Sequence, residues 1–83
     1  MASQRRRDGE DRREALLDAA LSCCIERGVL ETGIEDVRRA AGASPSSVYH
    51  QFSGMPAILA ALLERIFAQL FGQLAKRLAS AQS

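Results

Sequence analysis

The chain has no tryptophan, one tyrosine, three phenylalanines and a single histidine in 83 residues. Each scarcity removes a class of function. His50 has no second imidazole and no nearby cysteine or carboxylate at metal-ligand spacing, so a structural or catalytic metal is not expected. Without a nucleophile or cleft to serve, His50 is equally unsupported as a general base, and nothing else assembles a catalytic site or calls for a cofactor. The only cysteines, Cys23 and Cys24, are neighbours in sequence. Adjacent Cα atoms lie about 3.8 Å apart, short of the roughly 4.4 Å at which disulfide spans begin. An internal bridge is therefore not expected, which suits a reducing compartment. The pair reads as core filling, with a redox switch as the alternative. The N-terminus is charged and has no apolar segment of the signal-peptide kind. The longest apolar-rich stretch, Ala57 to Leu74, is broken by Glu64, Arg65 and Gln69 and does not read as a membrane span. A soluble cytoplasmic protein is the expectation.

What is present is ordinary for a globular chain: 47% hydrophobic and 25% charged residues. A chain this short buries only about 60% of its unfolded surface, so it makes one small domain of modest stability. The net charge of +1 hides its distribution. Arg5, Arg6, Arg7, Arg12 and Arg13 crowd the start, interrupted by Asp8, Glu10 and Asp11. Glu31, Glu35 and Asp36 form a negative patch, and Arg38 to Gln51 then contains two arginines and no acid.

The densest information lies between Thr32 and Phe52. Ile34, Val37 and Ala41 recur at helical spacing and give a short helix one apolar face. Thr32 and Glu35 have the spacing of a capping box at its start, with Gly33 as the competing N-cap. Gly42 suits the left-handed conformation that ends a helix. Ser44 then offers a side-chain acceptor to a new helix N-terminus, and Pro45 falls at its first position, where a missing N–H costs nothing. Val48 and Phe52, four apart, turn the second helix toward a core. Pro45, Ser46, Ser47, Tyr49 and His50 are left facing outward, uncharged and mostly small. Two short helices joined by such a turn make a helix-turn-helix, whose second helix enters the DNA major groove.

The rest of the chain frames this unit. Residues 1–10 are expected to be a flexible basic arm, able to lie in the adjacent minor groove as homeodomain arms do. A first helix should run from about Asp11 to Arg27, with Asp11 and Glu14 at its positive end. Its core stripe is Leu16, Ala19, Ala20, Cys23 and Cys24, and Gly28 stops it, with Val29 covering the stop. After Ser53, Gly54 is an acceptable N-cap, and a long last helix should run from Met55 to about Leu78. Ile58, Leu59, Leu62, Leu63, Ile66, Phe67, Leu70, Phe71, Leu74 and Leu78 repeat at three and four along it. Some 24 residues of helix reach roughly 36 Å, too far for a three-helix head to cover. An apolar strip from Ile66 to Leu78 should remain exposed, and such strips mark interfaces.

The segments ALLDAALSCCIERG, ETGIEDVRRAAGAS, SSVYHQF and AILAAL, within Leu16 to Leu63, together resemble the N-terminal DNA-binding domain of TetR-type transcriptional regulators. The run AGASPSSVYHQF matches that family's turn and recognition helix, which ends in Tyr-x-x-Phe. The resemblance implies that Tyr49 reaches a phosphate, that His50 lies near the backbone or a base edge, and that Ser44, Pro45, Ser46 and Ser47 form the groove-facing tip. It also exposes three departures. Cys24 stands where a large aromatic is usual, implying looser packing or filling by Ile25 or the last helix. Arg38 stands where the family usually has alanine near the helix crossing, so it must snorkel outward or widen the crossing. Met55 stands where a lysine commonly holds the DNA backbone.

The expected fold is all-α: a homeodomain-like three-helix head (11–54) carrying the helix-turn-helix, plus one long connecting or dimerisation helix (55–83). The expected function is sequence-specific DNA binding by a transcriptional regulator, a TetR-type repressor acting as a homodimer on a palindromic operator, cytoplasmic and nucleoid-associated, without enzymatic activity. The expected DNA-contacting residues are Thr32, Gly33, Arg38, Arg39, Ser44, Pro45, Ser46, Ser47, Tyr49, His50 and Ser53. The partner is double-stranded DNA, and a small-molecule effector belongs only to the larger helical domain that follows in such regulators and is missing from this chain. The competing reading is a helical protein-interaction module that works through the exposed strip of the last helix, without specific DNA binding.

Overall fold

The computed structural model describes the backbone of residues 2–82 and the side chains of residues 9–81. It consists of four helices in chain order: α1 (Ala2–Arg27), α2 (Ile34–Ala41), α3 (Pro45–Gln51) and α4 (Met55–Gln82). The expected all-α head with a long trailing helix is what forms, and no strand occurs among the described residues.

The core gathers one face of every helix. Leu16, Leu17 and Ala20 of α1 meet Val37 of α2, Val48 of α3, Phe52 just beyond it, and Ile58, Ala61 and Leu62 of α4. All five of the largest fully buried side chains, Leu16, Leu17, Ile58, Val37 and Val48, belong to this cluster. Leu17 was not on the expected stripe. It sits one residue round from Leu16 because α1 is wrapped from more than one side, packing against α2, α3 and α4. Cys23 closes the edge of the core, and its thiol points to the Asp36 carbonyl at 3.7 Å. Cys24 is half-buried, and both cysteines are free.

The helix ends follow local chemistry. Gly28 takes φ +94°, and its N–H still bonds the Cys24 carbonyl at 2.8 Å, terminating α1. Gly42 takes φ 65°, ψ 31°. Its N–H goes to Arg39 O and that of Ala43 to Arg38 O, at 3.1 and 3.0 Å. This paired pattern is a Schellman motif, which satisfies two carbonyls that the end of α2 would otherwise orphan. Ser44 caps α3 by accepting from the Ser47 N–H at 3.2 Å, with Pro45 in the first turn. Gly54 O accepts the first bonds of α4, from the N–H groups of Ala57 and Ile58.

At the helix boundaries one open choice is decided and two expectations are corrected. The cap of α2 is Gly33 rather than Thr32, and the box partner is Asp36 rather than Glu35: Asp36 Oδ2 accepts from the Gly33 N–H at 2.9 Å. Moving the cap one residue along lets the Thr32 hydroxyl turn back to the Gly28 carbonyl at 2.8 Å. Second, α1 begins at Ala2 and not at Asp11, so the segment expected as a flexible arm runs on as helix. Apart from Gly9 its residues include several good helix formers, and the Gly9 carbonyl is held by Gln51 Nε2 at 3.2 Å. The placement of the Arg5, Arg6 and Arg7 side chains in a minor groove concerns side chains outside the described residues. Third, α4 continues past Leu78 to Gln82, giving 28 residues or about 42 Å of helix.

By length and composition alone α4 could cross a membrane. Its first third is instead part of the head's core, through Ile58, Ala61 and Leu62. Arg65, only 19% exposed, is clasped by two carboxylates of α1: Nη1 donates to Asp18 Oδ1 at 2.8 Å and Nη2 donates to Glu14. Burial works against the charge of this guanidinium, but the hydrogen bonds to Asp18 and Glu14 outweigh it and hold the pKa above its ordinary value. Beyond Arg65 every described residue of α4 is exposed. Phe67, Leu70, Phe71, Leu74 and Leu78 are more than half exposed, and the rings of Phe67 and Phe71 stack at 6.2 Å. The expected apolar strip is therefore present.

Candidate nucleic-acid interface

The site is built around α3, seven residues long. Val48, 1% exposed, and Phe52, 5% exposed, anchor it to the core. Ser44, Pro45, Ser46, Tyr49 and His50 are exposed, and Ser47 is half-buried. Tyr49 is 54% exposed although it is an aromatic residue on a helix that has a core to pack against. A large ring left outside beside hydroxyls and an imidazole gives a surface that can both stack and hydrogen-bond. The tip is pre-formed: Ser44 Oγ caps the helix and lies 3.3 Å from Ser46 Oγ.

The other expected contact residues divide. Gly33, Arg39 and Ser53 are exposed. Thr32 is not: it is 6% exposed and its hydroxyl is engaged by the Gly28 carbonyl, so its place among surface contacts is withdrawn. Arg38 is partly withdrawn. Its guanidinium takes the outward route along its stem, but ends on Glu35 at 2.9 Å and on the Ala43 carbonyl at 3.3 Å. The helix crossing accommodates it because the charge is paired at the edge of the head, where solvent reaches it. Two acids of the negative patch are engaged in this way, Glu35 by Arg38 and Asp36 by Arg27, whose Nη1 donates to Asp36 Oδ1 at 2.9 Å while the other Asp36 oxygen caps α2. Met55 packs half-buried against the core rather than standing at the surface.

Two features near α3 were not singled out from the sequence. Arg13 places its guanidinium 5.3 Å from the centre of the Phe52 ring, a cation–π contact that fixes α1 against the end of α3. Arg12, next to it, lines a surface cavity of about 340 Å³ with Ser44, Ser46, Ser47, His50 and Gln51. The available signal was spacing: Gly9, Arg12 and Arg13 lie three and four apart, hence on one helix face.

The family profile described as "Bacterial regulatory proteins, tetR family" matches residues 16–62, more than half of the chain and the whole of the helix-turn-helix. The chain belongs to this family. Among curated relatives, the HTH-type transcriptional repressor KstR2 of Rhodococcus jostii is 35% identical over 83% of this chain and 34% of its own length. The HTH-type transcriptional regulator AqdR of Rhodococcus erythropolis is 41% identical over 70% of this chain and 28% of its own. The HTH-type transcriptional regulator BetI of Rhizobium meliloti is 34% identical over 71% and 29%. The chain thus spans about a third of the length of the curated relatives it matches. No solved structure matches it. The tetR-family segment contains the turn at Gly42, the cap at Ser44 and the outward face of α3, so the geometry above is that of a tetR-family helix-turn-helix.

Proposed function

We propose that this tetR-family chain is the DNA-reading head of a transcriptional regulator that represses by occupying its operator. The observation that carries the reading is the division of α3. Val48 and Phe52 bind it to the core, and the opposite face presents Ser46, Tyr49 and His50 with no acid among them. In this reading α3 lies in the major groove. Ser44, Pro45, Ser46 and Ser47 form the groove-facing tip, Tyr49 donates its hydroxyl to a phosphate, and His50 meets the backbone or a base edge. Gly33, Arg39 and Ser53 contact the flanking backbone, which positions the head without specifying sequence. The regulator works as a homodimer on a palindromic site, with its heads about 34 Å apart, one turn of duplex. It acts in the cytoplasm, on the nucleoid, and any small-molecule effector binds a domain other than this head.

A second reading is favoured by one observation, the strip of Phe67, Leu70, Phe71, Leu74 and Leu78 along distal α4. There the chain is a protein-interaction module and the helix-turn-helix is scaffold. Fluorescence anisotropy separates the two, using labelled duplexes that the protein itself selects from a random-sequence library, with scrambled duplexes as controls. A reading head shows site preference and a steep salt dependence. Tyr49→Ala and His50→Ala each weaken binding while leaving far-UV circular dichroism unchanged. Equal, weak binding to every duplex, or indifference to both substitutions, would reject the regulator reading in favour of the module.

A further inference from the structure

We propose that Arg12 of α1, together with His50 and the Ser44–Ser47 tip, forms a binding pocket for one DNA backbone phosphate. The inference rests on the regulator reading and adds to it a contact made from a second helix. Arg12, Ser44, Ser46, Ser47, His50 and Gln51 line one open cavity of about 340 Å³. Its lining contains a guanidinium, an imidazole, three hydroxyls and an amide, and no carboxylate. That chemistry suits an anion with several acceptor oxygens. A guanidinium donates in a fork that matches a phosphate, and hydroxyls complete the donor set.

The placement of α1 makes the pocket a fixed one. Gln51 Nε2 donates to the Gly9 carbonyl at 3.2 Å, one turn before Arg12. Arg13 lies over the Phe52 ring at 5.3 Å, directly after it. Gly9, Arg12 and Arg13 therefore present one face of α1 to the C-terminal half of α3, and two separate contacts set its rotation about Arg12. When α3 lies in a groove, a helix packed against its flank meets the sugar–phosphate wall and not the base edges. Arg12 is accordingly a positioning residue, and its contribution is the same for every sequence bound.

The test uses the full chain and the duplexes it selects, with scrambled duplexes alongside. Arg12→Ala weakens binding to selected and scrambled duplexes by a similar factor, on the order of tenfold at low salt, as expected for one charge-assisted contact. It also lowers the slope of log affinity against log salt by about 0.9, the share of one phosphate. The ratio of wild-type to variant affinity then shrinks about 3.5-fold for each fourfold rise in salt. Arg12→Lys keeps the slope and recovers part of the affinity. An unchanged slope and affinity for Arg12→Ala, with wild-type binding intact, overturns the pocket and leaves the regulator reading standing. A loss confined to selected duplexes also overturns it, because Arg12 would then read a base. Absence of site-preferring binding by the wild-type chain removes the regulator reading itself, and the pocket with it.

Discussion

The same substitution, glycine to alanine, should have opposite consequences at two places in this chain. At Gly42 the backbone holds φ 65°, ψ 31°, and a Cβ built there meets no heavy atom within 4 Å. Steric clash is absent, so the whole effect is conformational. The left-handed region costs an L-residue about 1–2 kcal/mol. Alanine also restricts the unfolded chain, which returns about 0.4–1 kcal/mol. The net is a destabilisation of about 1 kcal/mol, or roughly 4–8 °C in the melting temperature of a domain this size. Gly72 lies inside α4, also with no neighbour within 4 Å of a built Cβ. There alanine gains about 0.5–1 kcal/mol of helix propensity. Every described residue from 66 onward is exposed, so that gain is local. Urea denaturation followed by far-UV circular dichroism distinguishes the two. Gly42→Ala lowers the midpoint at constant slope, with Gly42→Asn intermediate, since asparagine tolerates the left-handed region. Gly72→Ala raises the helical signal before the transition and moves the midpoint little. A Gly42→Ala chain as stable as the parent would mean that α2 does not end in a left-handed residue, and the turn described above would be wrong.

Two further outcomes are expected. Cys24→Leu should raise the melting temperature by the equivalent of about 1 kcal/mol, a common gain for filling a cavity. The half-buried Cys24 borders an apolar cavity of about 260 Å³ with Leu21, Val29, Leu59 and Leu62, and Ile25 stays 76% exposed instead of filling it. A calorimetric decrease would show that the space is already closed. Thr32→Val should cost about 1 kcal/mol by losing the hydrogen bond to the Gly28 carbonyl, and should leave DNA affinity unchanged under conditions where both proteins are folded. A fall in affinity would return Thr32 to the contact surface.

Much of the architecture was legible because its signals are local. A glycine at the end of α2, Ser44 and Pro45 at the start of α3, and repeats at three and four along α4 each declare themselves within a few residues. The outward face of α3 followed from the spacing of Val48 and Phe52. What the sequence concealed depends on distance in the chain. Arg65 looks like an interruption of an apolar helix until Glu14 and Asp18, one turn apart on α1, are brought beside it. A partly buried guanidinium demands such partners, but the sequence does not say which carboxylates supply them. The choice between Thr32 and Gly33 as cap was undecidable locally, because it turned on whether the Thr32 hydroxyl had a better acceptor in the preceding turn. Arg12 stands in the sequence as one of a cluster of N-terminal arginines, and only the packing of α1 against α3 sets it beside the recognition helix.

The economy with which α3 is attached has an evolutionary corollary. Its hold on the body is concentrated in Val48, with Phe52 immediately beyond its end. Ser46, Tyr49 and His50 are exposed and lend nothing to the interior, so under the proposed reading the face they form can change what it contacts without disturbing the scaffold. Under that reading, descendants of such a head can diverge in target far faster than in shape, and kinship in architecture is then a poor guide to the sequence bound.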